Sequence, residues 1–239
     1  MAKRLMGSSM SEQHRIALIG ATGLIGRRVI EVASTANDVR LIGLARREVP
    51  LPQGARMEMF VAEPAKWGEV MEAVRPRALI CALGTTWRKA GKDEVAFRAV
   101  DHDLVLASAA DAIKAGVTNM VVVSAAGADR QSKNRYMRTK GEVEAALSTM
   151  GFKRLDILRP GLLRGSRPDD WRLVERLALT AAPITDALLM GSWRRFGSIE
   201  ARDVAAAALR LATRAAPGRF THDNDAMRRA ARELARGKS

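Results

Sequence analysis

Tyr136 and Lys140 are the clearest candidates for chemistry, because they stand four positions apart in a segment whose pattern predicts a helix over 135–150. Residues at positions i and i+4 of a helix share one face. An ammonium group beside a phenol favours the phenolate, so such a pair can exchange a proton near neutral pH. Ser124 ends a predicted strand, and its hydroxyl could hold a carbonyl oxygen nearby. The alternative interpretation is a half-buried tyrosine on an amphipathic helix, beside a solvated lysine.

A glycine-rich turn follows the apolar run at residues 15–20 and opens an amphipathic stretch. Gly20 allows a tight turn, Gly23 lets the backbone approach a pyrophosphate, and Gly26 lets the following helix pack on the strand. The start of a helix also offers N–H groups and partial positive charge to phosphates. The turn therefore predicts a dinucleotide site, unless its glycines are incidental to a simple strand-to-helix turn. The predicted contacts are Gly20, Thr22, Gly23, Leu24, Ile25 and Gly26.

The end of the second predicted strand indicates which dinucleotide is bound. NAD sites usually carry an acidic residue there for the ribose 2′-hydroxyl. Here the strand is followed by Arg46 and Arg47, and the next acid, Glu48, comes after both. Guanidinium groups suit a 2′-phosphate. We therefore expect NADP in preference to NAD, unless the two are ordinary surface arginines of an arginine-rich chain.

Strands and helices alternate along the first 160 residues, and six apolar strands are predicted. Continuous apolar strands separated by helices indicate a parallel sheet covered on both faces. Right-handed crossovers then give an α/β fold with a doubly wound parallel sheet of Rossmann type. We expect one NAD(P)-binding domain over 14–239, after a disordered leader at 1–13. Within it, residues 162–198 and the C-terminus are expected to form a small cap on the substrate side.

Composition excludes several classes of protein. The chain has 239 residues, 47% of them hydrophobic and 28% charged, which is an ordinary globular balance. Cys81, the single cysteine, cannot form an internal disulfide, and with only three scattered histidines we expect no metal site. No segment is apolar enough for a membrane span or a secretory signal, so we expect a cytoplasmic protein.

The net charge of +14 raises the question of a nucleic-acid partner. The basic residues are spread along the chain, and aromatic residues make up only 4%, which leaves little material for base stacking. We therefore do not expect nucleic acid to be the main partner.

The motifs together resemble the short-chain dehydrogenase/reductase superfamily, which combines an N-terminal glycine motif with a serine and a Tyr-x-x-x-Lys pair. The chain is most similar to atypical members, the Tat-interacting-protein-like group and its bacterial relatives. This closer resemblance lies in residues 81–91, 123–129, 136–144 and 158–161.

The resemblance implies roles for the candidate catalytic residues. Tyr136 would be the general acid/base, Lys140 would activate it and bind the nicotinamide ribose, and Ser124 would hold the carbonyl oxygen. Asp101 stands about where many relatives carry an asparagine. That departure leaves the usual proton relay open, and Asp101 could equally be a surface or capping acid.

The resemblance also implies further contacts with the cofactor, and these come from the loops after two strands. Leu83, Gly84 and Thr85 would border the ribose and pyrophosphate, and Pro160 and Gly161 would lie near the nicotinamide.

We therefore expect an NADP-dependent oxidoreductase that transfers hydride to or from a small carbonyl or alcohol substrate. The alternative is an NADP(H)-binding regulatory or interaction protein with little or no turnover. The sequence leaves open the identity of the substrate and whether the chain is a monomer or a homodimer.

Overall fold

A computed structural model describes residues 13–53, 55, 57–85, 88–165 and 197–237. The expected leader at 1–13 lies outside these residues apart from its last position, and so does most of the expected cap segment at 162–198. Within the described residues the strands are β1 (His14–Ile19), β2 (Val39–Ala45), β3 (Met57–Val61), β4 (Ala78–Cys81), β5 (Asn119–Val123), β6 (Arg154–Leu158), β7 (Leu162–Arg164), β8 (Ser198–Glu200) and β9 (Gly218–His222).

Seven of these strands form one parallel sheet in the order β3-β2-β1-β4-β5-β6-β9. This order confirms the predicted doubly wound sheet. The direction of winding changes between β1 and β4, and ligands of such sheets bind in the crevice at the carboxyl ends of the strands there. Strands β7 and β8 pair separately as a small parallel ribbon.

Helices cover both faces of the sheet, because the strands are apolar on both sides. Ile16 and Leu18 of β1 face a core shared with the first helix and the last two, whereas Ala17 and Ile19 face the helices of the other layer. The described helices are α1 (Leu24–Ala33), α2 (Trp67–Val74), α3 (Glu94–Arg98), α4 (Leu104–Lys114), α5 (Arg135–Thr149), α6 (Ala201–Ala212) and α7 (Asn224–Arg236).

The predicted long helix over 94–115 is interrupted. A five-residue π-helical turn, Ala99–Asp103, separates α3 from α4. Such turns within helices are often found at functional sites. Asp101 lies in this turn and is fully buried, so it is not a surface acid.

The seventh strand of the sheet, β9, is not among the six predicted strands. It pairs with β6 at the edge of the sheet, and its residues are mostly half-buried or exposed. A short edge strand of this kind lacks the apolar run that marks the central strands. Arg154 of β6 reaches across to it and lies 4.3 Å from the ring centre of Phe220.

Candidate functional site

The glycine turn leaves β1 at the centre of the sheet and opens α1, as the sequence predicts. Gly20 has a φ of +85°, and a Cβ at this position would collide with the backbone of Ala82 after β4. A Cβ on Gly26 would collide with the carbonyl oxygen of Gly20. Only glycine therefore allows this close approach of turn, helix and neighbouring strand.

The geometry of the turn fits a bound pyrophosphate. Gly23 is the N-cap of α1 and has no side chain to cap it, and the first turn of the helix carries no acidic residue. The first N–H groups of a helix lack intrahelical partners and carry partial positive charge. Thr22, Leu24 and Ile25 complete this segment at the sheet edge.

A cleft of about 440 Å³ lies beside the turn and extends to the ends of β2 and β3. Arg46 and Arg47 line it and are exposed, and neither forms an ion pair with a carboxylate within the described residues. The cleft is large enough for part of a nucleotide. It is lined by Gly20, Ala21, Thr22, Leu44, Ala45, Arg46, Arg47, Glu63, Trp67, Leu83, Val100 and Leu104.

Seven of the lining residues are absent from the sequence prediction, among them Glu63 and Trp67, which follow β3. Trp67 is buried, and its indole N–H donates to the carbonyl oxygen of Ala62 at 3.0 Å. The local signal was available, because Pro64 marks the start of a helix directly after β3. The sequence did not show that Trp67 would lie near the glycine turn, because that depends on the order of strands in the sheet.

The predicted cofactor loop Leu83, Gly84 and Thr85 follows β4 and borders the same crevice. The position of the loop is fixed by a hydrogen bond, in which the backbone N–H of Thr85 donates to Oδ2 of Asp101 at 2.6 Å. A Cβ on Gly84 would lie 3.6 Å from the other carboxylate oxygen. The loop and the π-helical turn are therefore packed directly together.

Helix α5 carries Tyr136 and Lys140, and the side chain of Asn134 caps its start by accepting the N–H of Met137. Lys140 is buried, and its Nζ lies 2.9 Å from Oδ1 of Asp101. The ring centre of Tyr136 is 5.9 Å from that Nζ. Burial is the largest influence on Lys140 and lowers its pKa, but Asp101, Tyr136 and Cys81 together outweigh it, and the resulting pKa is raised above its ordinary value. Lys140 is therefore an ammonium at neutral pH.

Ser124 follows β5 and is buried, and its hydroxyl donates to the carboxylate of Glu144 on α5. The same carboxylate accepts the Nε–H of Arg159 at 3.0 Å. That hydrogen bond is the main reason that the pKa of Arg159 is raised. A hydroxyl has one proton to donate, so Ser124 can meet a substrate oxygen with its proton only by leaving Glu144.

Glu144 is also missing from the sequence prediction. It lies four positions after Lys140 and eight after Tyr136, so the helical spacing places all three on one stripe of α5. That periodicity could have identified it, but its pairing with Arg159 depends on the neighbouring strand β6.

The loop after β6 holds Pro160 and Gly161. It is tied to its neighbours by the backbone, since the N–H of Ala126 donates to the carbonyl oxygen of Pro160 at 2.9 Å. The N–H of Gly161 donates to the side-chain oxygen of Asn224, which lies at the start of α7. No local pattern indicates Asn224, because it lies far from Gly161 in the sequence.

The glycine turn, the β4 loop, the Tyr–Lys helix and the β6 loop thus meet along the carboxyl edge of one parallel sheet. This fold and this edge define an NAD(P)-binding protein of short-chain dehydrogenase/reductase type. A family model described as NAD(P)H-binding matches residues 20–215. The chain belongs to this family and, within it, to the atypical short-chain dehydrogenase/reductase-like proteins that include FMP52, as the motifs predicted.

Fungal proteins are among the relatives of the chain. The chain is 32% identical over 208 residues to the protein "FMP52, mitochondrial" of Candida albicans, covering 84% of this chain and 89% of the relative. It is 35% identical over 161 residues to the corresponding protein of Emericella nidulans, covering 64% of this chain and 69% of the relative.

Solved structures with the same fold include nucleotide-sugar enzymes. A UDP-glucose 4-epimerase of Thermus thermophilus in complex with NAD has a TM-score of 0.64 and 19% identity, covering 94% of this chain and 83% of that one. MoeE5 in complex with UDP-glucose and NAD has a TM-score of 0.65 and 15% identity, covering 92% and 81%. At these identities the likeness shows the fold alone.

The expected cytoplasmic location is wrong by this comparison, because the matched FMP52 relatives are named as mitochondrial proteins. The expectation rested on the lack of an apolar secretory signal. Segments that direct import into mitochondria are rich in arginine and serine instead, so that test does not detect them.

The part of the chain that the structure describes was searched for membrane-spanning helices and for metal sites. No helix there is long and apolar enough to cross a membrane. No group of three or more metal-ligating side chains comes together there.

Proposed function

We propose that the protein is an NADP-dependent oxidoreductase that acts on a small carbonyl or alcohol. The observation that carries the choice of NADP is the cleft beside the glycine turn, which Arg46 and Arg47 line without a carboxylate partner among the described residues. A 2′-phosphate supplies the anionic partner that these guanidinium groups lack. Gly20–Gly26, Leu83–Thr85 and Pro160–Gly161 would hold the remainder of the cofactor along the sheet edge.

The chemistry follows from the residues of α5. The bound cofactor would supply or accept the hydride. In the reductive direction Tyr136 would donate its phenolic proton to the carbonyl oxygen as the carbon becomes an alcohol carbon, and it would recover that proton from solvent. The buried ammonium of Lys140 stabilises the resulting phenolate and can donate to a ribose hydroxyl. Ser124 would orient the substrate oxygen, which requires its hydroxyl to turn away from Glu144.

Calorimetric titration with NADPH and NADH tests the choice of cofactor. The wild-type protein is expected to bind NADPH at least about tenfold more tightly, since one charge-assisted contact is worth roughly 1.5–3 kcal/mol. The variant Arg46→Ser/Arg47→Ser should lose this preference while keeping its affinity for NADH. Arg229→Ser, at an exposed arginine of α7, is the matched control. Equal affinity of the wild type for both cofactors would contradict the proposal.

A second candidate function is an NADP(H)-binding regulatory or interaction protein with little turnover. Two of the three predicted catalytic groups favour it, because they already have protein partners. Ser124 donates to Glu144, and Lys140 pairs with Asp101. Oxidation of NADPH should be followed with a panel of aldehydes, ketones and quinones. Tight binding of NADPH without turnover on the whole panel would favour this second candidate.

A further inference from the structure

Asp101 is a buried carboxylate that contacts both the nucleotide loop and the predicted catalytic helix. It is fully buried within the π-helical turn. Its Oδ2 accepts the backbone N–H of Thr85 at 2.6 Å, and its Oδ1 lies 2.9 Å from Nζ of Lys140. One carboxylate therefore joins a loop after β4 to a side chain of α5.

Asp101 makes this double contact from the middle of the π-helical turn, Ala99–Asp103. An extra residue in a helical turn shifts the direction in which the following side chains project. Asp101 projects into the protein from this turn, while Asp103, two residues further on, is largely exposed and pairs with His102. The two aspartates of the same turn thus have opposite environments.

Because Asp101 and Lys140 are both buried, the loss of either one leaves the other as an unpaired charge inside the protein. A buried charge that loses its partner is strongly unfavourable, so the loss of either group should destabilise the protein. The charged or titratable groups that act on Lys140 are Asp101 from the π-helical turn, Tyr136 from its own helix and Cys81 from β4. Of these, Asp101 makes the direct ion pair.

We propose that Asp101 is a positioning residue that fixes Lys140 against the nucleotide loop and keeps it an ammonium over the pH range in which the cofactor binds. This role rests on the function proposed above for Lys140 and for the loop at Thr85.

The test uses Asp101→Asn, which preserves the shape of the side chain and an oxygen that can accept the N–H of Thr85, but removes the charge. Asp103→Asn is the matched control from the same turn. Lysine 13Cε resonances are titrated in the cofactor-free protein by NMR, and Lys140 is assigned by its loss in Lys140→Met. In Asp101→Asn, Lys140 should lose its proton at least about one pH unit lower than in the wild type, because the charge that most strongly opposes the effect of burial has been removed.

The same proteins are titrated with NADPH between pH 7 and 10. The affinity for NADPH should fall as the pH rises, in step with the loss of the Lys140 proton. In Asp101→Asn this fall should begin at a lower pH than in the wild type. The control should match the wild type in both measurements. An unchanged titration of Lys140 in Asp101→Asn would overturn the proposal, even if the protein binds and turns over NADPH.

A folding measurement covers the case in which Asp101→Asn is too unstable to study. The double variant Asp101→Asn/Lys140→Met carries no unpaired charge, so its urea midpoint should lie above that of either single variant. If the double variant is destabilised by the sum of the two single destabilisations, Asp101 and Lys140 do not stabilise each other and the proposal fails. If the wild type binds neither cofactor, the proposed function fails, while the lysine titration still decides whether Asp101 controls Lys140.

Discussion

The side-chain oxygen of Asn224 accepts the backbone N–H of Gly161 at 3.0 Å, so the start of the last helix holds the loop that follows β6. Asn224 is almost fully buried, and its amide N–H also donates to the carbonyl oxygen of Gly197 at 2.8 Å. One side chain thereby fixes the backbone of two loops at the sheet edge. Both loops come from parts of the chain that lie far from it in sequence.

Replacement of Asn224 by alanine should destabilise the protein and weaken cofactor binding together. The N–H of Gly161 and the carbonyl of Gly197 would lose their partner, at a cost of about 1–3 kcal/mol for each buried group left unpaired. Urea denaturation measures the first effect and NADPH titration the second. Arg229→Ala, on the exposed face of the same helix, should change neither. A stable variant with normal NADPH affinity would show that the loop needs no support from Asn224.

Tyr136→Phe should abolish turnover while leaving cofactor affinity nearly intact. The substitution removes only the hydroxyl, and loss of a general acid/base lowers rates by roughly 10²–10⁴-fold. The packing of the ring against Phe97, with ring centres 5.9 Å apart, is retained by phenylalanine. Turnover is measured with whichever substrate the NADPH panel identifies. Undiminished turnover of the variant would exclude Tyr136 as the proton donor.

Gly26→Ala should prevent cofactor binding and destabilise the fold, because the added Cβ collides with the carbonyl oxygen of Gly20. The matched control is Gly68→Ala in α2, where the nearest atom to the new Cβ is a carboxylate carbon of Asp111 at 3.2 Å, at the end of a side chain that can move. Alanine is also the better helix former by about 1 kcal/mol. Calorimetry and urea denaturation should therefore separate the two variants clearly.

Asp156→Asn should be among the most destabilising single substitutions outside the site. Asp156 accepts two hydrogen bonds from the buried guanidinium of Arg154, at 2.6 and 2.9 Å, and contacts His222 of β9 at 2.8 Å. Removing one partner of a buried ion pair costs roughly 3–5 kcal/mol. Asp111→Asn breaks only an exposed pair with Lys114 and should cost less than about 1 kcal/mol by urea denaturation.

Cys81 provides a prediction about alkaline pH. Burial raises the pKa of its thiol from 9.0 to about 11. Because the thiol ionises earlier in the unfolded chain than in the folded one, its contribution to stability is complete below about pH 9 and is lost as the pH rises towards 11. Urea midpoints should fall over this range, and less steeply in Cys81→Ala. Thiol reagents at pH 8 should label Cys81 only in the unfolded protein.

The sequence predicted the features of the site that are local. The glycine turn, the Tyr136–Lys140 spacing and the central strands depend on residues close together in the chain, and the fold confirms the sheet that they imply. The partners of these groups could not be predicted in the same way. Asp101 meets Lys140, and Asn224 meets Gly161, only because the sheet order brings distant segments together. Strand β9 was missed because an exposed edge strand need not be apolar.

The core on one face of the sheet combines the first helix of the chain with its last two. During synthesis on the ribosome, α1 and the β1–β6 part of the sheet emerge long before α6, which is the helix that packs against α1. The packing of α1 against α6 is therefore complete only when residue 212 has been made. We therefore expect the nascent chain to leave the α6-facing side of α1 exposed until late in synthesis, and a chaperone to bind it there.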